Sequence, residues 1–207
     1  METNNLISKK NHTKYICVAS GPSLTKEDIQ YIKDHRTDHV VLVINDNYRI
    51  APWAEYLYAC DGKWWDYHIE QVRKTYKGEC WTQEIQQAKD YKLNLVTGDH
   101  RPGLGKQVIH YGSNSGYQAI NLCFLWGAKE IMLIGYDMKK DKNNSPHWFG
   151  NHPCGLNQNS PYDAFAKNFT KLALDLEREG VKVINCTRST VLNCFKKQSL
   201  EEYFKIS

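Results

Sequence analysis

Several short segments of this chain hold side chains that can act together on a phosphate-bearing ligand. Ala19-Ser20-Gly21-Pro22-Ser23-Leu24 follows the apolar run from Tyr15. It reads as a strand breaking into a glycine turn and then a helix. The start of a helix offers free N–H groups and the positive end of a dipole, which suits a phosphate. Gly21 lets a ligand lie against backbone, Pro22 shapes the turn, and Ser23 offers a hydroxyl and a cap. Ser113-Asn114-Ser115-Gly116 opens a second, apolar helix in the same way. Asn45 and Asp46, with Asn47, close another apolar run, where amide groups can hold a ribose or a base edge. Asp61 ends a third run beside Trp64 and Trp65, rings that either stack on a base or sugar or belong to the core. Gly135-Tyr136-Asp137 ends a fourth, with Lys139 just beyond as a charge able to neutralise a phosphate.

The second chemical element is the loop His147-Trp148-Phe149-Gly150-Asn151-His152-Pro153-Cys154. Long loops in compact domains tend to be functional, and a histidine can take a proton near neutral pH. His147 and His152 are the candidate general bases. With Cys154 they lack a convincing fourth metal ligand, so no metal is assigned. The first loop carries neither Gly-x-Gly-x-x-Gly nor Gly-x-x-x-x-Gly-Lys-Ser/Thr, and the chain has no Gly-x-Ser-x-Gly element.

These segments work together only if the elements before them end at one edge. Lys14 to Ser20, His39 to Asn45, Glu55 to Cys60, Glu130 to Ile134 and Val181 to Asn185 read as strands. Thr25 to Asp34, Lys63 to Thr75, Ser115 to Trp126, Pro161 to Glu179 and Ser199 to Phe204 read as helices. Glu84 to Tyr91 is a weaker helix, Leu93 to Val96 and Gln107 to His110 are short strands, and 136–160 is a long polar loop. Strands alternating with helices predict an α/β fold: a Rossmann-like three-layer sandwich with a mostly parallel sheet, in a GT-A-like variant. Ligands bind such sheets at the carboxyl ends of the strands, where strand order switches. The expected layout is a loose tail over 1–13 and a single domain over 14–207.

With 207 residues, 41% of them hydrophobic, the chain suffices for one domain with a real core. A net charge of +4, scattered in short lysine pairs, reads as an ordinary solvated surface rather than a nucleic-acid face. Seven cysteines without a Cys-x-x-Cys pair predict a reducing compartment, hence the cytoplasm. No apolar stretch approaches the ~20 residues of a membrane helix. Trp53, Trp81 and Trp126 serve a homo-oligomer interface as readily as the core.

Taken in order, Ser20-Gly21-Pro22-Ser23-Leu24, Asn45, Asn114-Ser115-Gly116 and Gly135-Tyr136-Asp137 resemble the bacterial sialyltransferases of glycosyltransferase family 42. The skeleton is also similar to the 6-hydroxymethylpterin pyrophosphokinase-like group. A closer resemblance, over about 14–204, is to small phage and prophage proteins of unsettled function. It rests on Asn45-Asp46-Asn47-Tyr48-Arg49, Ala51-Pro52-Trp53-Ala54, Tyr58-Ala59-Cys60-Asp61, Gly112 to Asn121 and His147-Trp148-Phe149-Gly150. The sialyltransferase likeness implies a cytidine nucleotide, held by Gly21, Ser23, Asn45, Ser115 and Gly116, and a catalytic histidine at His152 or His147. Two positions depart from that pattern: Ser20 stands for an asparagine, and Lys139 for a phosphate-contacting tyrosine.

The expected activity is transfer from a nucleotide sugar, CMP-linked by the resemblance, with no further cofactor and no metal. The acceptor is a glycan or a modified nucleobase, and any lid over it comes from 98–105 and 139–160. Two alternatives stay open: a nucleotide-binding phage or virion protein without turnover, and an ATP- and Mg²⁺-dependent pyrophosphokinase-like enzyme.

Overall fold

The computed structural model describes residues 12–153, 156 and 160–206. The tail expected over 1–13 therefore lies mostly outside the described residues, but Thr13 is tied down: its carbonyl accepts from the amides of Lys129 and Glu130.

The strands are β1 (Lys14–Val18), β2 (Val40–Ile44), β3 (Tyr56–Tyr58), β4 (Glu79–Thr82), β5 (Asn94–Leu95), β6 (Gly98–Asp99), β7 (Ile109–His110), β8 (Glu130–Ile134), β9 (Lys182–Asn185) and β10 (Lys196–Lys197). The helices are α1 (Lys26–His35), α2 (Gly62–Thr75), α3 (Ile85–Tyr91), α4 (Ser115–Leu125), α5 (Tyr162–Arg178) and α6 (Leu200–Ile206). A 3-10 turn, Asn45–Arg49, follows β2 directly.

Eight strands form one sheet in the order β10-β9-β8-β1-β2-β3-β4-β5, and every pairing is parallel. β6 and β7 form a separate parallel pair. The expected α/β, Rossmann-like three-layer arrangement is present. Strands buried on both faces need apolar residues on both, and alternation divides them. Tyr15, Cys17, Leu42, Ile131 and Leu133 pack with α4 and α5 on one side. Ile16, Val18, Val41, Val43, Met132 and Ile134 pack with α1, α2 and α6 on the other. Trp126 is wholly inside the first of these clusters, so it does not serve an interface. Among the described residues no helix is long and apolar enough to cross a membrane.

Topology fixes the site. From β1 the chain builds outward through β2 to β5, then returns to lay β8 against the other edge of β1. Strand order therefore reverses between β1 and β8, and the connections leaving the two strands diverge to open a crevice beyond their carboxyl ends.

Candidate functional site

That crevice is a cavity of about 540 Å³, within the range of small-molecule sites. Its floor is the ends of the central strands: Ala19 to Gly21 after β1, Ile44 and Asn45 after β2, Cys60 and Asp61 after β3, and Gly135 with Met138 to Lys140 after β8. One wall is the start of α4, Ser113 to Gly116. The other is the loop after β8, which contributes His147, Asn151 and His152. Tyr162 and Phe165 from α5 also reach in.

Among the residues singled out from sequence, Gly21, Asn45, Asp61, Asn114, Ser115, Gly116, Lys139, His147 and His152 thus share one cavity. Backbone strain gathers there too. Asn45, Ser113 and Met138 have φ of 52°, 67° and 51°, a region that side-chain-bearing residues rarely occupy.

The first loop is built differently from the reading of its sequence. Its amides do not point outward unpaired. Gly21 N–H donates to the Gly135 carbonyl (2.8 Å), and Ser23 N–H to the Asp137 carboxylate (3.0 Å). Leu24 N–H donates to the Gly21 carbonyl (3.1 Å), and Thr25 N–H to Asp28 (3.0 Å) within a reciprocal cap of α1. Gly21 is forced by close approach, since a Cβ there would strike the Asp137 carboxylate and the Gly135 carbonyl. The loop is a clamp joining β1 to β8. Pro22 and Ser23 do not line the cavity.

Asp137 and Tyr136 also lie behind the wall. Asp137 is 1% exposed, and burial raises its carboxyl to about 6 against the pull of the Ser23 bond. Tyr136 is fully buried and packs edge-on against Phe169, with its hydroxyl donating to the Gly116 carbonyl. It supports the start of α4 from within the core.

The start of α4 is the opposite case. Asn114 caps it by accepting from Tyr117 N–H (2.9 Å). Ser115 Oγ accepts from Cys60 N–H (3.2 Å) and approaches Asn45 Oδ1 (3.5 Å), which ties α4 to the ends of β2 and β3. The amides of Ser115 and Gly116, the first two of the helix, have no acceptor among the described residues. They are the donors left for an anion. Burial pushes the Cys60 thiol up to about 11, which makes it inert as a nucleophile.

The histidine wall is held from behind. Trp148 N–H donates to the Ser20 carbonyl (3.2 Å), and its indole donates to Asn47 Oδ1 (2.7 Å). Asn47 in turn donates to the Val18 carbonyl (2.7 Å), so the loop is pinned to the end of β1. Phe149 stacks on His147 with ring centroids 5.0 Å apart. His147 and His152 meet edge to face at 4.6 Å. Burial lowers both imidazoles, His147 to about 4 with the neighbouring His152 assisting, so both are neutral at pH 7. Cys154, the third member of the metal reading, lies outside the described residues. Among the described residues no group of three or more His, Cys, Asp or Glu side chains is arranged to hold a metal ion.

Asp46 is not on the cavity wall; it stands behind His152. Its carboxylate is 1% exposed and is shared. Oδ2 accepts from the Trp64 indole (2.9 Å) and lies 3.6 Å from His152 Nδ1. Oδ1 lies 3.7 Å from His68 Nε2 and 3.5 Å from Arg49. Trp64, stacked on His68 at 4.5 Å, is core on one side and lines the cavity on the other. Trp65 is wholly core.

Sequence reasoning gave no role to Met138, Tyr162 and Phe165. Tyr162 presents a buried hydroxyl without a hydrogen-bond partner among the described residues. Its only sequence signal was its place at the first turn of α5, facing the polar loop. No protein-family model matches this chain, and a search of curated proteins finds no relative.

Proposed function

We propose that this protein transfers a sugar from a nucleotide sugar to a hydroxyl acceptor, with His152 as general base and without a metal. The observation that carries the reading is the His152 pair. A neutral, largely buried imidazole sits on the wall of a ligand-sized cavity, with Nδ1 3.6 Å from a buried carboxylate. That spacing is longer than a hydrogen bond. A proton on Nδ1 facing Asp46 leaves the Nε2 lone pair free to accept another, and Asp46 stabilises the imidazolium that forms.

Each step then has a residue. The acceptor O–H gives its proton to His152 Nε2 while its oxygen bonds to the anomeric carbon. The bond from that carbon to the phosphate oxygen breaks, and the electron pair leaves with the nucleotide. The amides of Ser115 and Gly116, at the positive end of α4, and the ammonium of Lys139 neutralise the departing phosphate. Asn45 and Asp61 hold the nucleoside. The family resemblance points to a CMP-linked donor and supports this assignment.

The test is turnover of labelled nucleotide sugars, with and without a chelator, by the native chain and by His152→Asn. We expect chelator-insensitive consumption of one donor family. The variant is expected to lose about 10²–10⁴-fold in rate while retaining nucleotide binding. Consumption untouched by His152→Asn, or consumption of ATP that requires Mg²⁺, overturns the assignment.

A further inference from the structure

A second cavity of about 860 Å³ lies on the far side of Asp46. It shares Asn151 with the first cavity, and the histidine loop divides the two, with His147 and His152 facing one and Phe149 and Pro153 the other. Of its other lining residues the proposed chemistry uses only Asp46.

Its walls have a definite chemical character. Tyr67, Gln71 and Thr75 recur every fourth residue on α2 and present one face of the helix. Tyr67 is 60% exposed, one of only four large hydrophobic side chains so placed among the described residues. Phe149 supplies a second ring. His68 is 7% exposed, yet its Nε2 has no hydrogen-bond partner among the described residues. Its Nδ1 is taken by the Tyr48 hydroxyl (3.2 Å). Besides the buried Asp46, the one full charge on the lining is Arg49, whose side chain is 51% exposed.

A pyranose has an apolar C–H face and a rim of hydroxyl groups. Two accessible aromatic rings match the face. An amide and a hydroxyl, from Gln71 and Thr75, match the rim. A half-exposed guanidinium selects a planar anion by its two-pronged geometry. We propose that this second cavity binds a carboxylate-bearing saccharide and serves as the acceptor subsite, with the reacting hydroxyl passing Asn151 to His152. The acceptor role rests on the transfer reading above; the saccharide site itself does not.

The experiment uses the full chain, isotope-labelled, with the His68 imidazole and Tyr67 ring followed by NMR. Methyl β-D-glucuronide, methyl β-D-glucoside and inorganic phosphate are titrated up to about 100 mM, enough to half-fill a site of comparable dissociation constant. The glucuronide is expected to shift both signals and to bind about fivefold more tightly than the glucoside. Phosphate is expected to leave the Tyr67 ring unmoved. Arg49→Gln should erase the preference for the glucuronide, and Tyr67→Ala should weaken both sugars about tenfold. Tyr67 is mostly exposed, so its removal leaves the fold intact, and CMP binding in the first cavity checks this in both variants.

No shift with either sugar overturns the site. So do shifts that survive both substitutions, or phosphate binding as strong as the glucuronide's, which marks a plain anion site. Saccharide binding without turnover of any nucleotide sugar sinks the transfer reading and leaves the site standing. Turnover of a carboxylated acceptor that neither substitution affects sinks the subsite alone.

Discussion

The starts of α1 and α4 carry a similar sequence grammar: a strand or turn, then glycine and serine, then a helix. The structure caps both helices alike but closes the loop before α1 and sets the first turn of α4 on the cavity. At α1 the amides of Gly21, Ser23, Leu24 and Thr25 are all consumed internally, on Gly135, Asp137, Gly21 and Asp28. At α4 the cap satisfies Tyr117 N–H and leaves Ser115 and Gly116 open toward the cavity. In both helices the cap satisfies the third amide and leaves the first two without an acceptor among the described residues, Lys26 and Glu27 in α1 and Ser115 and Gly116 in α4, but only those of α4 lie on the cavity. For α1 the neighbour is Asp137, a buried carboxylate from the adjacent strand end, which already occupies the position an anion would take. One start is a structural clamp, and the other is the ligand-facing end of the site.

The largest effect that separates them belongs to Gly21→Ala. The added methyl meets backbone and a buried carboxylate, neither of which can swing aside. We expect a stability loss of about 3 kcal/mol by urea denaturation, in the range of core overpacking. A loss within experimental error of zero would mean that β1 and β8 are not clamped here.

Next in size is a pH effect. Burial raises the Asp137 carboxyl from its ordinary 3.8 to about 6 in the folded chain. A raised folded pKa means that its contribution is full below the unfolded value and is lost as pH rises toward 6. His147 runs the other way. Its pKa falls from 6.5 to about 4, so its contribution is present above 6.5 and is lost as pH falls through 4. Across that window the two oppose each other. Asp137→Asn removes the falling component, so the variant's stability should climb with pH more steeply than the native chain's, by about 2–3 kcal/mol between pH 4 and 6.5. Parallel profiles would show that Asp137 is not the buried clamp.

Much of this architecture was legible in the sequence because burial on two faces writes itself as continuous apolar runs. Val40–Ile44 and Glu130–Ile134 are such runs, and their ends predicted the cavity floor at Asn45 and beyond Gly135. β4 and β10 carried no such signal. Glu79-Cys80-Trp81-Thr82 passes from exposed to buried and Lys196-Lys197 is exposed, so neither reads as an apolar run buried on two faces. Within the site, sequence could not assign sides. Asn45 and Asp46 are neighbours, but the positive φ of Asn45 and the 3-10 turn send one to the cavity floor and the other behind His152. Asp137 and Lys139 divide in the same way. A run of polar residues after a strand marks where a ligand goes; which of them faces it depends on turn geometry that composition does not encode.

A subtler pair of substitutions tests the open start directly. Proline is tolerated at the first position of a helix and requires an extended residue before it, which Asn114 is, at φ −157° and ψ 152°. Ser115→Pro therefore removes one free amide while α4 persists. Ser115→Ala removes only the hydroxyl that accepts from Cys60. The proline variant should bind nucleotide about tenfold more weakly than the alanine variant, the worth of one hydrogen bond to a charged group. Equal affinities would remove the α4 amides from the site.

The smallest expected effect belongs to Lys139, and it discriminates by its salt dependence. The Lys139 side chain is partly exposed at the cavity rim with Lys140 beside it, so its attraction for a phosphate acts through water and is screened. The Ser115 and Gly116 amides act at hydrogen-bond range within the cavity wall, where salt does little. Lys139→Met should weaken nucleotide binding about threefold at low ionic strength, and raising the salt by about a decade should shrink that ratio toward one. The difference between Ser115→Pro and Ser115→Ala should hold across the same range. If both defects fade together with salt, the α4 start contributes long-range field and not direct donation, and the contrast with the closed start of α1 narrows to one of charge. If neither fades, Lys139 reaches the phosphate itself and takes up the contact that the α1 loop has spent on Asp137.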